Sequence, residues 1–166
     1  MQMLIRLEAG RFVQAADDFI TLAAEGDPPA DGGVIVPIAH WAEMGERLLS
    51  EGREVGVRLT SADPVEALLP VLERLSVVAV EFPIFRDGRG YSTAVLLRTR
   101  LGYRGELRAV GDVLVDQAWN LVRCGFDAFE TNASPEQFAA SAHRFRHVYQ
   151  ASADDRPPAF VERETV

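Results

Sequence analysis

The sequence predicts an α/β fold: repeated βα units around a five-stranded, mainly parallel sheet, either open and doubly wound or an incomplete (β/α) barrel, with a short N-terminal β-hairpin. Three observations carry this. From Val34 onward, short β-branched runs alternate with segments of helical period, giving five βα steps. Turn and cap residues punctuate the steps where helices should begin and end. The chain has 166 residues, 48% of them apolar. That is enough to bury a core without a disulfide or metal, yet short of the roughly 200 to 250 residues of a closed eight-fold barrel.

Taken in order, Met3 to Leu7 and Arg11 to Val13 alternate apolar and polar residues around Glu8-Ala9-Gly10, which reads as a hairpin. Asp17 to Gly33 is rich in Asp, Gly and Pro and reads as a surface connection. Val34 to Val36 is the first core strand, followed by a helical stripe of Ile38, Trp41, Gly45, Leu48 and Leu49. Val55 to Leu59 is the second, and its helix carries Val65, Leu68, Leu69, Leu72 and Leu75, bent at Pro70. Val77 to Phe82 is apolar on consecutive positions, as in a parallel strand covered on both faces, with a helix from about Thr93 to Leu101. Glu106 to Val110 with helix Val113 to Arg123, and Phe126 to Glu130 with helix Pro135 to about Tyr149, complete the core. Asp63-Pro64-Val65-Glu66 and Ser134-Pro135-Glu136-Gln137 read as capping boxes. The whole is one domain: hairpin and connection over 1–32, βα core over 33–150, and a tail over 151–166 that is either frayed or packed as an extended arm.

Composition excludes several chemistries. All 17 basic residues are Arg, so Schiff-base chemistry, a phosphate-loop lysine and a lysine general base are ruled out. Lone Cys124 rules out an internal disulfide and a four-thiolate metal or iron–sulfur site within one chain. A net charge of −8 argues against nucleic acid as a partner, and no apolar run is long enough for a membrane span or signal peptide. The expectation is a bacterial-type cytoplasmic protein. A homo-oligomer is one way to finish an incomplete barrel.

In either architecture ligands sit beyond the C-terminal strand ends. The segment between the Val77 strand and its helix stands out there, combining Arg86, Asp87, Gly88, Arg89, Gly90, Tyr91 and Ser92. The glycines let backbone N–H groups face an anion, and the two arginines supply charge. The competing reading is a tight connection in which Asp87 pairs with one arginine and Ser92 caps the helix. Asp112 and Glu81 are the candidate catalytic carboxylates, Glu130 ends the last strand, and Arg58 is either an anion ligand or the partner of Glu81. His143 and His147 are four apart, but lack the glutamate of a zinc-protease helix and read as a solvated face, so no metal site is predicted. His40 reads as a helix-start polar group. Cys124 reads as a small buried hydrophobe, and Trp119 as core packing.

Five ordered blocks then point to a family. They are Glu81-Phe82-Pro83, Asp87 to Ser92, Leu101 to Ala109, Gly111 to Gln117 and Arg123 to Glu130. From about Gly33 to about Tyr149 the chain resembles the bacterial domain-of-unknown-function family 934. Members are labelled oxidoreductases of sulfite reduction because they are encoded beside the assimilatory sulfite reductase haemoprotein and the adenylyl-sulfate reductase. The resemblance thus implies a pathway, sulfate to cysteine, with the haemoprotein as a partner and a small sulfur oxyanion as a ligand. It supplies no catalytic residue set and names no cofactor. No complete dinucleotide, haem or iron–sulfur motif accompanies it, so redox chemistry would need a borrowed cofactor or a partner's electrons. Ile84 stands where many relatives carry Lys.

Overall fold

A computed structural model describes residues 2–22, 27–154 and 156–162. The parts of the Asp17–Gly33 connection and of the tail that fall at 23–26, 155 and 163–166 lie outside the described residues. Eight strands form one sheet: β1 (Met3–Glu8), β2 (Arg11–Ala15), β3 (Phe19–Thr21), β4 (Gly33–Pro37), β5 (Val55–Leu59), β6 (Val77–Phe82), β7 (Glu106–Gly111) and β8 (Ala128–Thr131). β1 and β2 are the expected hairpin, with Ala9 at φ 47° and Gly10 at φ 79°, the left-handed pair that matches strand twist.

The order is β2-β1-β8-β7-β6-β5-β4-β3, with β3 to β8 parallel and β1 antiparallel to both neighbours. Successive parallel strands are always neighbours, so right-handed crossovers put every helical segment on the same face. This rules out the doubly wound alternative, which needs the strand order to reverse. The two edges of the sheet, β2 and β3, are joined by Ala16 to Asp18 alone. Such a link spans at most about 14 Å, whereas the edges of a flat eight-stranded sheet lie about 34 Å apart. The sheet is therefore rolled. β2 and β3 run in the same sense, as two halves of one bent strand, the first laddered to β1 and the second to β4.

The five-strand expectation is thus corrected to six parallel strands plus the hairpin. The missing one is Phe19–Thr21, a three-residue strand inside what reads as a surface connection. A rolled sheet fits in 166 residues because the hairpin needs only a tight turn and the crossovers are short. They hold α1 (Glu46–Ser50), α2 (Arg89–Val95) and α3 (Ala118–Arg123), and α4 (Pro135–Ala142) follows β8; none of the four is longer than eight residues.

Several helices are shorter than their apolar spacing predicts. Val65 to Leu75 is two 3-10 turns, Val65–Leu68 and Leu72–Arg74, separated around Pro70, which has no N–H to continue the ladder. Asp63 does not cap: its Oδ2 accepts from the N–H and hydroxyl of Thr60, both at 2.7 Å. Ser134 does cap α4, accepting from Gln137 N–H at 3.3 Å while Gln137 Oε1 accepts from Ser134 N–H at 3.0 Å. α4 stops at Ala142 rather than Tyr149. The tail carries α5 (Ala159–Glu162) instead of a purely extended arm, with Arg156 placed over the Trp119 ring at 5.1 Å. Trp119 therefore packs against the tail side, on Phe145 at 5.1 Å, and not in the main core.

The helix-side face of the sheet is apolar. Val57, Val78, Val80, Leu107 and Phe129 are fully buried there with Leu68, Leu97, Leu121 and Phe138. None of the helices among the described residues is long and apolar enough to cross a membrane.

Candidate functional site

The opposite face, inside the roll, is charged. Ladder pairing puts Arg58, Ala79, Arg108, Ala128 and Arg6 side by side across five strands. Paired residues share a face, so three guanidinium groups line one ring. Arg108 is fully buried. Its Nε donates to Glu106 at 2.8 Å, and its Nη1 reaches Asp17 at 2.9 Å and Glu130 at 3.3 Å. Arg6 Nε takes the other Glu106 oxygen at 2.8 Å. Burial works against the charge on Arg108, but Glu106 and Asp17 outweigh it and hold the guanidinium above its ordinary value. Glu130 is pushed up by burial, with Arg108 opposing.

Arg58 and Glu81 meet as a bidentate pair at the mouth, Nη2 to Oε1 at 2.6 Å and Nε to Oε2 at 3.2 Å. Arg58 also acts on Glu130. Three of the sequence-named residues, Arg58, Glu81 and Glu130, are thereby brought into one ion network with Arg108.

The loop after β6 is built differently. Arg89 grips Asp87 through two bonds, 2.9 and 2.7 Å, and is mostly exposed. That grip, with Ser61 adding a bond, holds the Asp87 carboxyl well below its usual range and raises Arg89. Arg86 lies over the Phe85 ring at 5.7 Å and has no carboxylate partner among the described residues. Gly88 precedes α2 without a side-chain cap, and Ser92 sits inside α2 instead of capping it. Gly90 is buried: a Cβ there would come 2.8 Å from the Phe82 ring. Tyr91 packs on that same ring at 5.2 Å, and burial raises its hydroxyl.

Asp112 belongs to a clamp between two loops. Gly111, at φ 93° and with Phe82 O only 2.5 Å from where a Cβ would stand, turns the chain after β7. Asp112 Oδ2 then accepts from Phe85 N–H at 2.9 Å. Gln117 completes the clamp, donating to Phe85 O at 3.0 Å and accepting from Leu114 N–H at 2.8 Å. The two loops hold Ile84, Phe85, Leu114 and Val115 out in solvent as an apolar rim. Beside it, the loop after β7, the end of β8 and α4 enclose a cleft of about 620 Å³.

The remaining candidates are structural. His40 Nδ1 stands 3.8 Å from Glu43, His143 packs edge-on to Phe12 at 5.8 Å, and burial pushes the Cys124 thiol up to about 11, unfavourable for a nucleophile. No three His, Cys, Asp or Glu residues are grouped to hold a metal among the described residues. Arg108, Glu106, Arg6 and Asp17 were missed from sequence. The available signal was polar–apolar alternation, Glu106-Leu107-Arg108-Ala109, within the fourth core strand.

No curated protein matches the chain. The family described as "Bacterial protein of unknown function (DUF934)" matches residues 56–160, from β5 through α5, and so takes in the clamp, the cleft and most of the interior charges. The ordered blocks from Glu81 to Glu130 all fall within that match, and the chain belongs to the DUF934 family of bacterial proteins.

Proposed function

We propose that this chain serves assimilatory sulfite reduction as an accessory, anion-binding component that docks on a partner, the sulfite reductase haemoprotein, rather than as a self-sufficient redox enzyme. The observation carrying the docking role is the clamp of Asp112 and Gln117, which holds Phe85 and Leu114 exposed on fixed backbone. Apolar side chains pre-positioned in solvent suit an interface, because little ordering is lost on binding. Arg86 and Arg89 edge the rim of a chain whose net charge is −8, which favours an acidic partner surface there. Arg86, lacking a carboxylate partner among the described residues, is the first group a small anion would meet. The pathway comes from the family's label.

Titrating the full-length chain into the haemoprotein by calorimetry tests this. A complex is expected, weakened at least about tenfold by Phe85→Asp. Absence of a complex, or turnover of sulfite by the purified chain alone with a nicotinamide donor, overturns the reading. The second reading, a small enzyme acting on a sulfur oxyanion or phosphate-bearing substrate, is favoured by one feature: Glu130 with its raised pKa beside Arg58 and Arg108 at the mouth. Under it, Glu130→Gln removes activity and leaves docking intact.

A further inference from the structure

The cleft beside the rim has a chemistry of its own. Val113, Leu114, Val115, Ala133 and Ala140 form its walls, all apolar. Its polar groups divide into two kinds. Thr131 donates its hydroxyl to Val113 O at 3.0 Å and accepts from Ala133 N–H at 3.3 Å, and the Gln137 carbonyl is taken by Ser134 N–H. These are committed to holding the loops.

Ser141 and Arg144 are not. Ser141 is 8% exposed, lines the cleft, and its Oγ meets no hydrogen-bond partner among the described residues. Ser141 is the last residue but one of α4 and its Oγ is sealed from solvent, so it borders the cleft without offering its hydroxyl to it. Arg144 lies two residues beyond the end of α4, lines the cleft, is exposed, and forms no ion pair with a carboxylate among the described residues. No acidic residue lines the cleft, although the chain has 25 Asp and Glu against 17 Arg. The nearest acid on α4, Glu136, is bonded to the Ser134 hydroxyl at 2.7 Å, which holds its pKa down. The closing turn of α4 bonds back on itself, His143 N–H to Ala139 O and Arg144 N–H to Ser141 O, so its carbonyls are partly quenched where they would repel an anion.

We propose that this cleft binds an organic anion, an apolar body ending in a carboxylate or sulfonate, with the charged end on Arg144 and the body against the Val113–Val115 wall. Inorganic sulfite or sulfate would leave those walls in contact with water, so the apolar body is what distinguishes this site from the rim arginines. Leu114 and Val115 belong both to the docking rim and to the cleft wall, whereas Ile84, Phe85 and Arg86 take no part in the cleft, so Phe85→Asp tests docking alone.

The experiment titrates the full-length chain with octanoate, octane-1-sulfonate, octanamide and sulfate, following calorimetry and backbone amide resonances. Octanoate and the sulfonate should bind and shift the amides of Val113, Ala140 and Ser141. Octanamide should bind at least about tenfold more weakly, and Arg144→Gln should weaken octanoate by about the same factor. Ala140→Trp, an exposed position that fills the cleft, should abolish binding. Thermal melts show whether each variant is folded. Equal affinity for octanamide and octanoate, an Arg144→Gln variant that binds octanoate as tightly as the parent, sulfate competing as well as octanoate, or cleft amides unmoved at saturating octanoate would each overturn the proposal.

Discussion

Leu107 and Arg108 are consecutive residues, both fully buried, on opposite faces of the same strand. Leu107 belongs to the apolar layer under the helices, and Arg108 to the ion network inside the roll. Apolar packing is tolerant of exchange among similar volumes and stabilises in proportion to the area buried. A buried guanidinium needs oxygen acceptors at set distances and angles. A one-residue slip of β7 would send Arg108 and Glu106 into the helix-side core and Leu107 between Glu130 and Asp17. The interior charges therefore specify register, while the helix-side face supplies most of the stabilisation.

The largest expected effect tests that division directly. Arg108→Met leaves Glu106, Glu130 and Asp17 without their shared cation, and should cost about 3 to 5 kcal/mol in urea unfolding. Leu107→Ala, leaving only a cavity, should cost about 2 to 5 kcal/mol. The two should differ in kind: lowering the pH from 7 to 5 should narrow the deficit of the Arg108 variant and leave that of Leu107→Ala unchanged, since only the first exposes carboxylates to protonation. Equal pH profiles would break the comparison.

Asp17→Asn comes next. Asp17 joins the seam to Arg108 from the three-residue link between β2 and β3, and is itself partly exposed, so the loss should be about 1 to 2 kcal/mol. Amide exchange should speed up at Phe19 to Thr21 and not at β6. An unchanged seam would mean that the roll is closed without that ion pair.

Glu130→Gln should have the smallest effect, within about 1 kcal/mol at pH 7. Burial raises Glu130 from 4.5, so between that value and its higher folded one the native state holds the extra proton, and stability falls as pH rises. Removing the group removes that slope. The advantage of the parent over Glu130→Gln should therefore shrink from pH 4 to pH 7; an advantage that grows with pH would show that Arg108 outweighs burial.

The same contrast explains what could be read from sequence. The helix-side face was legible because Val55 to Leu59 and Val77 to Phe82 are plainly apolar, and the hairpin and the Ser134 cap because their signals are local. Strand β3 was not, since three residues carry no periodicity and its ladder to β4 exists only once the sheet rolls. Of the site, Arg58, Glu81 and Glu130 could be found at strand ends, whereas Arg108 sits in mid-strand, where its apolar neighbours conceal it. Arg89 and Asp87 satisfy each other two residues apart, a pairing that spacing alone leaves undecided.

Because β1 ladders to β8, the earliest strand of the sheet to be made pairs with the latest. At ordinary translation rates the ribbon Met3–Ala15 waits roughly 6 to 25 s for Ala128 to emerge. During that interval one edge of the ribbon is open to any other extended segment, including the same ribbon on a neighbouring nascent chain. The successive parallel strands β4 to β7 can assemble as they appear, each on its predecessor. The roll, with its interior arginines enclosed, is completed only once β8 has been made.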